Sequence, residues 1–194
     1  MSILWEKLPI SVNVNNVEYE INSDYKTMLK FDDLMSSDVD NEIKLLTAFK
    51  LFYKKANFKT VEEVKEAYNM ILWFYSCGQY NQNNSSGEEL EGVSSKRVFS
   101  YEQDAKYILA AFRQVYNIDL LTENLHWWEF KNLFDGLPSD VELIKIIGYR
   151  SMQITNDMAE KEKKRFRKLK KIYALEDERS EEEKERDFAN ALFG

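Results

Sequence analysis

Apolar side chains recur at helical spacing along most of this chain and alternate in only one short stretch. Six Gly and two Pro among 194 residues leave few positions that can end an element or form a tight turn. A sandwich or barrel of short strands needs many such positions. With an apolar fraction of 44%, the chain can build a core. The sequence therefore predicts a mainly α fold.

The alternating stretch spans residues 10–21. Asn15-Asn16 separates its two apolar runs, and because Asn tolerates positive φ, this pair is typical of a two-residue hairpin turn. A lone hairpin is only marginally stable in water, so it must pack against helices. We therefore expect an N-terminal β-hairpin packed on a multi-helix bundle.

Side chains that can cap a helix N-terminus precede several of the helical stretches. These signals are Asp24, Thr60 with Glu63, and Ser100 with Gln103. Together with the periodicity, they predict helices at about 25–36, 41–55, 61–77, 101–116 and 125–135, and a short one after 138. The helix around Trp127-Trp128 is apolar on most sides, so we expect it at the centre of the fold.

Two segments differ in composition from this helical core. Residues 79–97 are polar and low in complexity, which is typical of a flexible loop. From residue 157 onward charges dominate, with a basic run at 161–171 and an acidic one downstream. We therefore predict a hairpin plus helical core domain at 1–156 and a charged helical arm at 157–194.

The arm is also the candidate protein-binding surface. Its apolar residues form narrow stripes among many charges, an arrangement suited to contact with another helix. Ordinary packing of two terminal helices against the body is the alternative. The candidate residues for binding a partner or a second copy are Phe166, Leu169, Tyr173, Phe188, Leu192 and Phe193.

The net charge of −7 gives the chain no long-range attraction to nucleic acid or to anionic lipid. The basic run at 161–171 is the exception: it can contact phosphates along a helix, or pair with acidic groups of this chain or a protein partner. No stretch approaches the ~20 apolar residues that span a bilayer. The N-terminus lacks the basic start and apolar run of a signal peptide. We expect a cytosolic protein with no membrane contact.

Few residues are suited to catalysis. His126 is the one histidine, and its two tryptophan neighbours indicate a histidine at the edge of the core. Cys77 is the one cysteine and ends an aromatic helix, so we expect an inert, buried thiol. Nothing in the spacing pairs Cys77 with His126. The sequence therefore predicts a protein that is not an enzyme.

Metal-binding patterns are equally weak. One His and one Cys cannot form a standard zinc site. Asp38 to Glu42 opens like a calcium loop, but Ile43 stands where the sharp turn needs Gly. The adjacent acids Asp32 and Asp33 point in different directions on a helix, and we interpret them as a solvated edge. We expect no metal and no cofactor.

Six short phrases follow one another along most of the chain. They are Leu72-Trp73-Phe74-Tyr75-Ser76-Cys77-Gly78, Phe99-Ser100-Tyr101-Glu102-Gln103-Asp104-Ala105-Lys106-Tyr107-Ile108, Tyr116-Asn117-Ile118-Asp119-Leu120, Leu125-His126-Trp127-Trp128-Glu129-Phe130, Gly148-Tyr149-Arg150-Ser151 and Lys170-Lys171-Ile172-Tyr173-Ala174-Leu175. In this order they resemble the phage gene-product-fifteen family of siphophages and of prophages of Gram-positive hosts.

The resemblance implies a tail assembly chaperone, the product of the gene just before the tape-measure gene. Such a protein binds the tape-measure protein, keeps it soluble in the host bacterial cytoplasm and recruits tail-tube subunits, and it is absent from the mature virion. The family supplies no catalytic residues. Two alternative functions stay open: a structural head–tail connector or other virion component, and a nucleic-acid-binding phage protein that uses helix 161–171. Whether the chain forms a homo-oligomer is also open.

Overall fold

The computed structural model describes residues 4–80 and 97–176, in which an antiparallel hairpin precedes seven helices. The strands are β1 (Ser11–Val14) and β2 (Val17–Glu20). The helices are α1 (Tyr25–Ser36), α2 (Asn41–Phe52), α3 (Val61–Tyr75), α4 (Ala105–Tyr116), α5 (Trp127–Asp135), α6 (Glu142–Ser151) and α7 (Glu160–Ile172). The prediction of a mainly helical fold with an N-terminal hairpin is confirmed.

The hairpin turn is Asn15-Asn16, as predicted. Both residues are left-handed, with φ of 49° and 61°, the conformation that a two-residue turn of this kind requires. Val12 and Val14 of β1 are buried. The Asn15 amide donates to the Glu66 carboxylate at 2.9 Å and so ties the turn to α3. The hairpin therefore packs on a helix, which supplies the stability that two strands alone lack.

Helices α1 and α3 begin at their predicted caps. The Asp24 carboxylate accepts the Thr27 amide at 3.0 Å, and Thr60 with Glu63 forms a complete capping box. Helix α2 ends at Phe52, three residues earlier than expected. The cause is tertiary: Tyr53 is extended and bridges to Ile21 at the end of the hairpin.

Helix α3 ends at Tyr75, two residues before the predicted end. Cys77 and Gly78 both have positive φ, 55° and 81°. The Gly78 amide donates back to the Trp73 carbonyl at 2.8 Å, which closes the C-terminus. A Cβ at Gly78 would lie 3.3 Å from the Trp128 ring, so this turn leaves little space for a side chain.

The two tryptophans of α5 complete the end of α3. The Trp127 indole N–H donates to the Tyr75 carbonyl at 2.9 Å, and that of Trp128 donates to the Phe74 carbonyl at 2.8 Å. The last carbonyls of a helix have no partner within it. The indoles therefore satisfy polar groups that burial would otherwise make costly.

Helix α5 lies at the centre of the core, as predicted, since Trp127, Trp128 and Phe130 are buried. The Phe130 ring stacks on Tyr25 of α1 at 4.8 Å and on Phe112 of α4 at 5.1 Å between centroids. One aromatic side chain thus joins three helices. Stacked aromatic pairs stabilise a core beyond the area that they bury.

Helix α4 begins at Ala105, four residues later than predicted. The Ser100 hydroxyl does accept the Gln103 amide at 3.3 Å, as a capping box requires. However, the Asp104 carboxylate accepts the Ser100 amide at 3.1 Å and also pairs with Arg150, and residues 101–104 form turns. A contact with a distant arginine therefore moves the helix start.

Helix α6 contacts both α4 and α7. No helix in the described part of the chain combines the length and the apolar character that crossing a bilayer requires. Of the predicted loop at 79–97, residues 81–96 lie outside the described ranges. The division into a core domain at 1–156 and an arm at 157–194 stays a prediction.

Candidate protein-binding surfaces

Helix α7 is highly charged, and none of its residues is buried. Acidic residues stand in its first turn and lysines in its last, which complements the helix dipole. Phe166, Leu169 and Tyr173, spaced three and four apart, are half-buried on one side. We call these three residues the α7 stripe. The helix therefore has one thin apolar side and is otherwise largely exposed.

The predicted partner-binding residues fall into two groups. Three form the α7 stripe: Phe166, Leu169 and Tyr173. The other three lie outside the described residues: Phe188, Leu192 and Phe193. A partner-binding role of either group stays a prediction.

Arg150 holds the end of α7 against the body. Its Nη1 and Nη2 atoms donate to the two carboxylate oxygens of Asp104 at 2.6 and 2.9 Å, and these side chains are only 9% and 1% exposed. The same guanidinium donates to the backbone carbonyls of Val98 and Tyr173. A buried, bidentate pair is costly to break because it leaves an uncompensated charge. The position of Tyr173 is therefore fixed by a strong contact.

Two further contacts lie beside this pair. The Tyr173 ring stacks on Tyr149 of α6 with centroids 5.8 Å apart. The Gln103 side-chain amide donates to the Glu176 carbonyl at 3.2 Å and accepts the Glu176 amide at 2.8 Å. Sequence analysis missed this anchor, because nothing in the pattern links residues 103–104 to residues 149–150. Of the three candidate residues that the structure describes, only Tyr173 takes part in it.

The cations of α7 form a second feature of this helix. Of its eight Lys and Arg residues, only Lys163 forms an ion pair with the described part of the chain, with Glu160 at 2.9 Å. The exposed members are Lys161, Lys164, Arg165, Arg167, Lys168 and Lys171. They can attract an acidic polypeptide or a polyanion such as nucleic acid.

Another apolar surface, which sequence analysis missed, lies between α2 and α3. An open cleft of about 510 Å³ is formed there by apolar side chains and three lysines: Leu45, Leu46, Phe49, Tyr53, Ala56, Phe58 and Val64, with Lys50, Lys54 and Lys55. Leu46 is 53% exposed. One turn before Leu46 and Val64 stand Ile43 and Val61, which are 55% and 64% exposed. We call this surface the α2–α3 cleft.

The signal that could have revealed the cleft is an excess of apolar residues in α2. A helix that buries one face needs only one apolar stripe. Helix α2 buries Ala48 and Phe52, yet it also carries Ile43 and Leu46 on an exposed side. Exposed apolar side chains grouped beside a cleft are typical of an interaction surface.

Cys77 and His126 do not form a catalytic pair. The His126 Nδ1 atom accepts the Trp128 amide at 3.1 Å and caps α5, while Nε2 donates to the Pro9 carbonyl at 2.9 Å. Both ring nitrogens are thus occupied in the neutral imidazole, and burial lowers its pKa. Burial raises the pKa of the Cys77 thiol to about 11, which disfavours the reactive thiolate.

Of the two adjacent acids predicted to form a solvated edge, Asp33 is exposed, whereas Asp32 is partly covered. Its carboxylate accepts a hydrogen bond from the Tyr75 hydroxyl and pairs with Arg97 at 3.0 Å. These bonds connect α1 to the end of α3 and to the chain that leads into α4. The described residues contain no group of three or more His, Cys, Asp or Glu that could hold a metal ion.

Comparison with known proteins gives one match. A family model described as Bacteriophage Gp15 protein matches residues 4–175, so the match includes the hairpin, all seven helices and the Arg150 anchor. No curated protein and no solved structure matches the chain.

Proposed function

The chain belongs to the Bacteriophage Gp15 protein family, and from this premise we propose that it is a non-catalytic tail assembly chaperone. In this role it binds the tape-measure protein of a phage and keeps it soluble in the host bacterial cytoplasm. It also helps to recruit tail-tube subunits. It is released before the particle is complete and is therefore absent from the mature virion.

The observation that carries this proposal is the exposed state of α7. The helix has no buried residue and retains a half-buried stripe of Phe166, Leu169 and Tyr173 between rows of charge. A tape-measure protein is long and helical, and its apolar stripes aggregate unless they are covered. A second helix laid along α7 would bury apolar area on both sides while the cations keep the complex hydrated.

The sites considered for chemistry support a non-catalytic role. Both ring nitrogens of His126 serve the fold, and at Cys77 the effect of burial outweighs the Lys131 charge that favours the thiolate. These are the residues on which nucleophilic catalysis in this chain would most depend.

Co-expression with the tape-measure protein tests the proposal. The full chain is expected to keep the tape-measure protein in the soluble fraction and to co-purify with it. The double variant Phe166→Ser, Leu169→Ser removes apolar surface and should lose both effects. The matched control Lys161→Ser, Lys168→Ser changes the exposed face of the same helix and should retain them. Unchanged binding by the first variant would show that the α7 stripe is not the surface that binds the tape-measure protein.

A nucleic-acid-binding role is the second candidate, because the exposed cations of α7 are unpaired with described residues. A phosphate-binding helix should show affinity for duplex DNA that falls steeply with salt. We expect no such binding, given the net charge of −7. Mass spectrometry of purified virions separates a chaperone from a head–tail connector, since only the connector should be present in the particle.

A further inference from the structure

We propose that the α2–α3 cleft receives the C-terminal segment, residues 177–194, of a second copy of this chain. The cleft belongs to described residues, whereas the segment lies outside them and enters through its sequence alone. The proposal goes beyond the proposed function and does not depend on it. It gives the tail residues Phe188, Leu192 and Phe193 a role in self-association.

The cleft has the features of a site for a short apolar segment. Although the cleft is open, its volume of about 510 Å³ lies in the range of pockets that bind small ligands, which is enough space for one or two large side chains. Phe49 and Phe58, whose rings are 5.5 Å apart, form part of its wall. Exposed Leu46 adds an apolar edge. An aromatic or aliphatic side chain seated here would remove apolar surface from water on both partners.

The positive charge of the cleft favours apolar segments that also carry acidic side chains. Lys50, Lys54 and Lys55 lie among its lining residues. Lys54 has an exposed partner, Glu20 at 3.6 Å, whereas Lys50 and Lys55 form no ion pair with the described residues. An occupant with acidic side chains beside its apolar ones is therefore favoured, because complementary charge sets the register of a contact.

The C-terminal segment combines these two properties. Residues 177–194 contain seven acidic and three basic side chains, a net charge of −4. The acidic run Glu181-Glu182-Glu183 precedes Phe188, and Leu192-Phe193 follows within five residues of Phe188. Carboxylates for the lysine rim and aromatic side chains for the cleft therefore occur in that order within one short segment.

Helix α7 is the rival site for this segment, since its net charge of +6, from eight basic and two acidic residues, also attracts acid. However, the α7 stripe is half-buried, and its last member, Tyr173, is already stacked on Tyr149. Helix α7 can therefore complement the charge of the segment, but its stripe offers less exposed apolar surface than the cleft. We therefore assign the apolar end of the segment to the cleft.

A second copy is the source because of where the segment begins. Glu176 is held by Gln103 beside α4 and α6, whereas the cleft belongs to α2 and α3, which pack on α1 and β1. The segment therefore starts from elements other than those that form the cleft, and we assign it to a second copy, which the isotope experiment below distinguishes from the same copy. Such a contact between two different surfaces joins copies head to tail, or closes a dimer when two copies exchange segments.

Photo-crosslinking of the full chain tests this assignment. The variant Leu46→p-benzoylphenylalanine is prepared in nitrogen-14 and nitrogen-15 forms, which are mixed and irradiated, and the adducts are identified by mass spectrometry. We expect adducts that join position 46 of one isotopic form to residues 188–193 of the other. Leu121→p-benzoylphenylalanine, at an exposed position between α4 and α5, is the matched control and should give none.

Charge and apolar variants separate the proposed contact from random collision. Lys50→Glu with Lys55→Glu should lower the adduct yield by roughly fivefold, since two exposed pairs become repulsive. Lys50→Arg with Lys55→Arg should preserve the yield, and Phe193→Asp should abolish it. In sedimentation experiments, Phe193→Asp should likewise convert any oligomer to monomer.

Several results would overturn the proposal. They are adducts confined to one isotopic form, adducts to another region of the chain, no adduct, and a yield that charge reversal leaves unchanged. If the Leu46 variant fails to fold, the same label at the exposed position Ile43 provides the measurement. Failure here leaves the tape-measure assay unaffected, because that assay depends on α7.

Discussion

Arg150 joins three parts of the fold that are far apart in the sequence. Its guanidinium contacts Asp104 before α4, Val98 in the preceding chain and Tyr173 at the end of α7. Because Arg150 and Asp104 are both nearly inaccessible, the charge of each depends on the other. The residue therefore has a larger effect on stability than the exposed ion pairs of this chain.

Asp104→Asn should lower the free energy of unfolding by about 3 kcal/mol, because it leaves the Arg150 charge buried without a counter-charge. The amide oxygen of Asn can still accept the Ser100 amide, but its NH2 group replaces the carboxylate oxygen that accepts the second Arg150 N–H, so the variant loses a hydrogen bond as well as the charge. Urea unfolding measures the effect. The control is Asp119→Asn, which breaks the exposed pair with Arg113 and should cost less than about 1 kcal/mol. Equal losses in the two variants would contradict this account.

His126 should make stability depend on pH. Its folded pKa is lowered by burial, below the usual 6.5, so between these two values the unfolded state binds more protons. The free energy of unfolding therefore rises with pH through this window. The contribution of His126 is fully present above pH 6.5 and is lost as the pH falls through the folded pKa. Neutral imidazole is also the form that accepts the Trp128 amide.

His126→Asn tests this prediction, because Asn can still cap α5 but does not titrate. Urea unfolding at pH 5.5 and pH 7.5 should show a smaller difference in the variant than in the parent. At pH 7.5 the variant should be less stable by about 1 kcal/mol, because Asn loses the Nε2 hydrogen bond to the Pro9 carbonyl. An unchanged pH difference would assign the dependence to other groups.

At the scale of elements, signals confined to a few neighbouring residues predicted the structure well. Asn15-Asn16 identified the hairpin turn, and Asp24 and Thr60 identified the starts of α1 and α3. These signals are local because the interactions that satisfy a cap or a turn lie within four residues.

The predictions that failed at this scale involve partners distant in sequence. Helix α4 starts late because of Asp104, which Arg150 holds from 46 residues away. Asp32 lies on an edge that Tyr75 and Arg97 cover. The excess of apolar residues in α2 indicates an exposed apolar surface, but it does not identify a cleft, because the cleft forms only where α2 meets α3. The half-buried side of α7 at Phe166, Leu169 and Tyr173 could be predicted because a stripe is a local pattern, and its role in binding a partner stays a prediction.

The hairpin turn provides a test at the element scale. Asn16→Val should lower the free energy of unfolding by about 1–2 kcal/mol, because a β-branched residue is strained at a φ of 61°. Asn16→Gly should cost little, since Asn-Gly suits this turn. Thermal unfolding compares the two variants. Asn57→Val, at an exposed position where φ is not positive, is the control for the side-chain change. Equal melting of the Val and Gly variants would show that the turn is not strained.

At the scale of the whole molecule, charged and buried residues are distributed unevenly along the chain. Helix α7 carries a net charge of +6 within a chain of −7, and it is the one described helix without a buried residue. The aromatic core around Phe130 lies in the other helices. This distribution predicts that the body folds without the arm.

Deletion of residues 157–194 should therefore leave a cooperatively folded protein. The expected loss is about 1–2 kcal/mol of unfolding free energy, the size of one aromatic stack and one charged hydrogen bond, which Tyr149 and Arg150 make with Tyr173. Urea unfolding followed by circular dichroism measures the loss. Tyr173→Ala in the full chain removes the stack and the exposed hydroxyl bond to Glu142 but keeps the backbone carbonyl that Arg150 contacts, and it should account for about half of the loss.

The slope of the unfolding transition distinguishes an arm from a part of the core. That slope scales with the surface exposed on unfolding, so removing a helix with no buried residue should reduce it little. A core domain that depended on α7 would instead unfold over a broad transition after the deletion, and the boundary at residue 156 would be wrong. Because α7 also carries the proposed tape-measure contact, a stable deletion variant that no longer solubilises that protein would separate binding from folding.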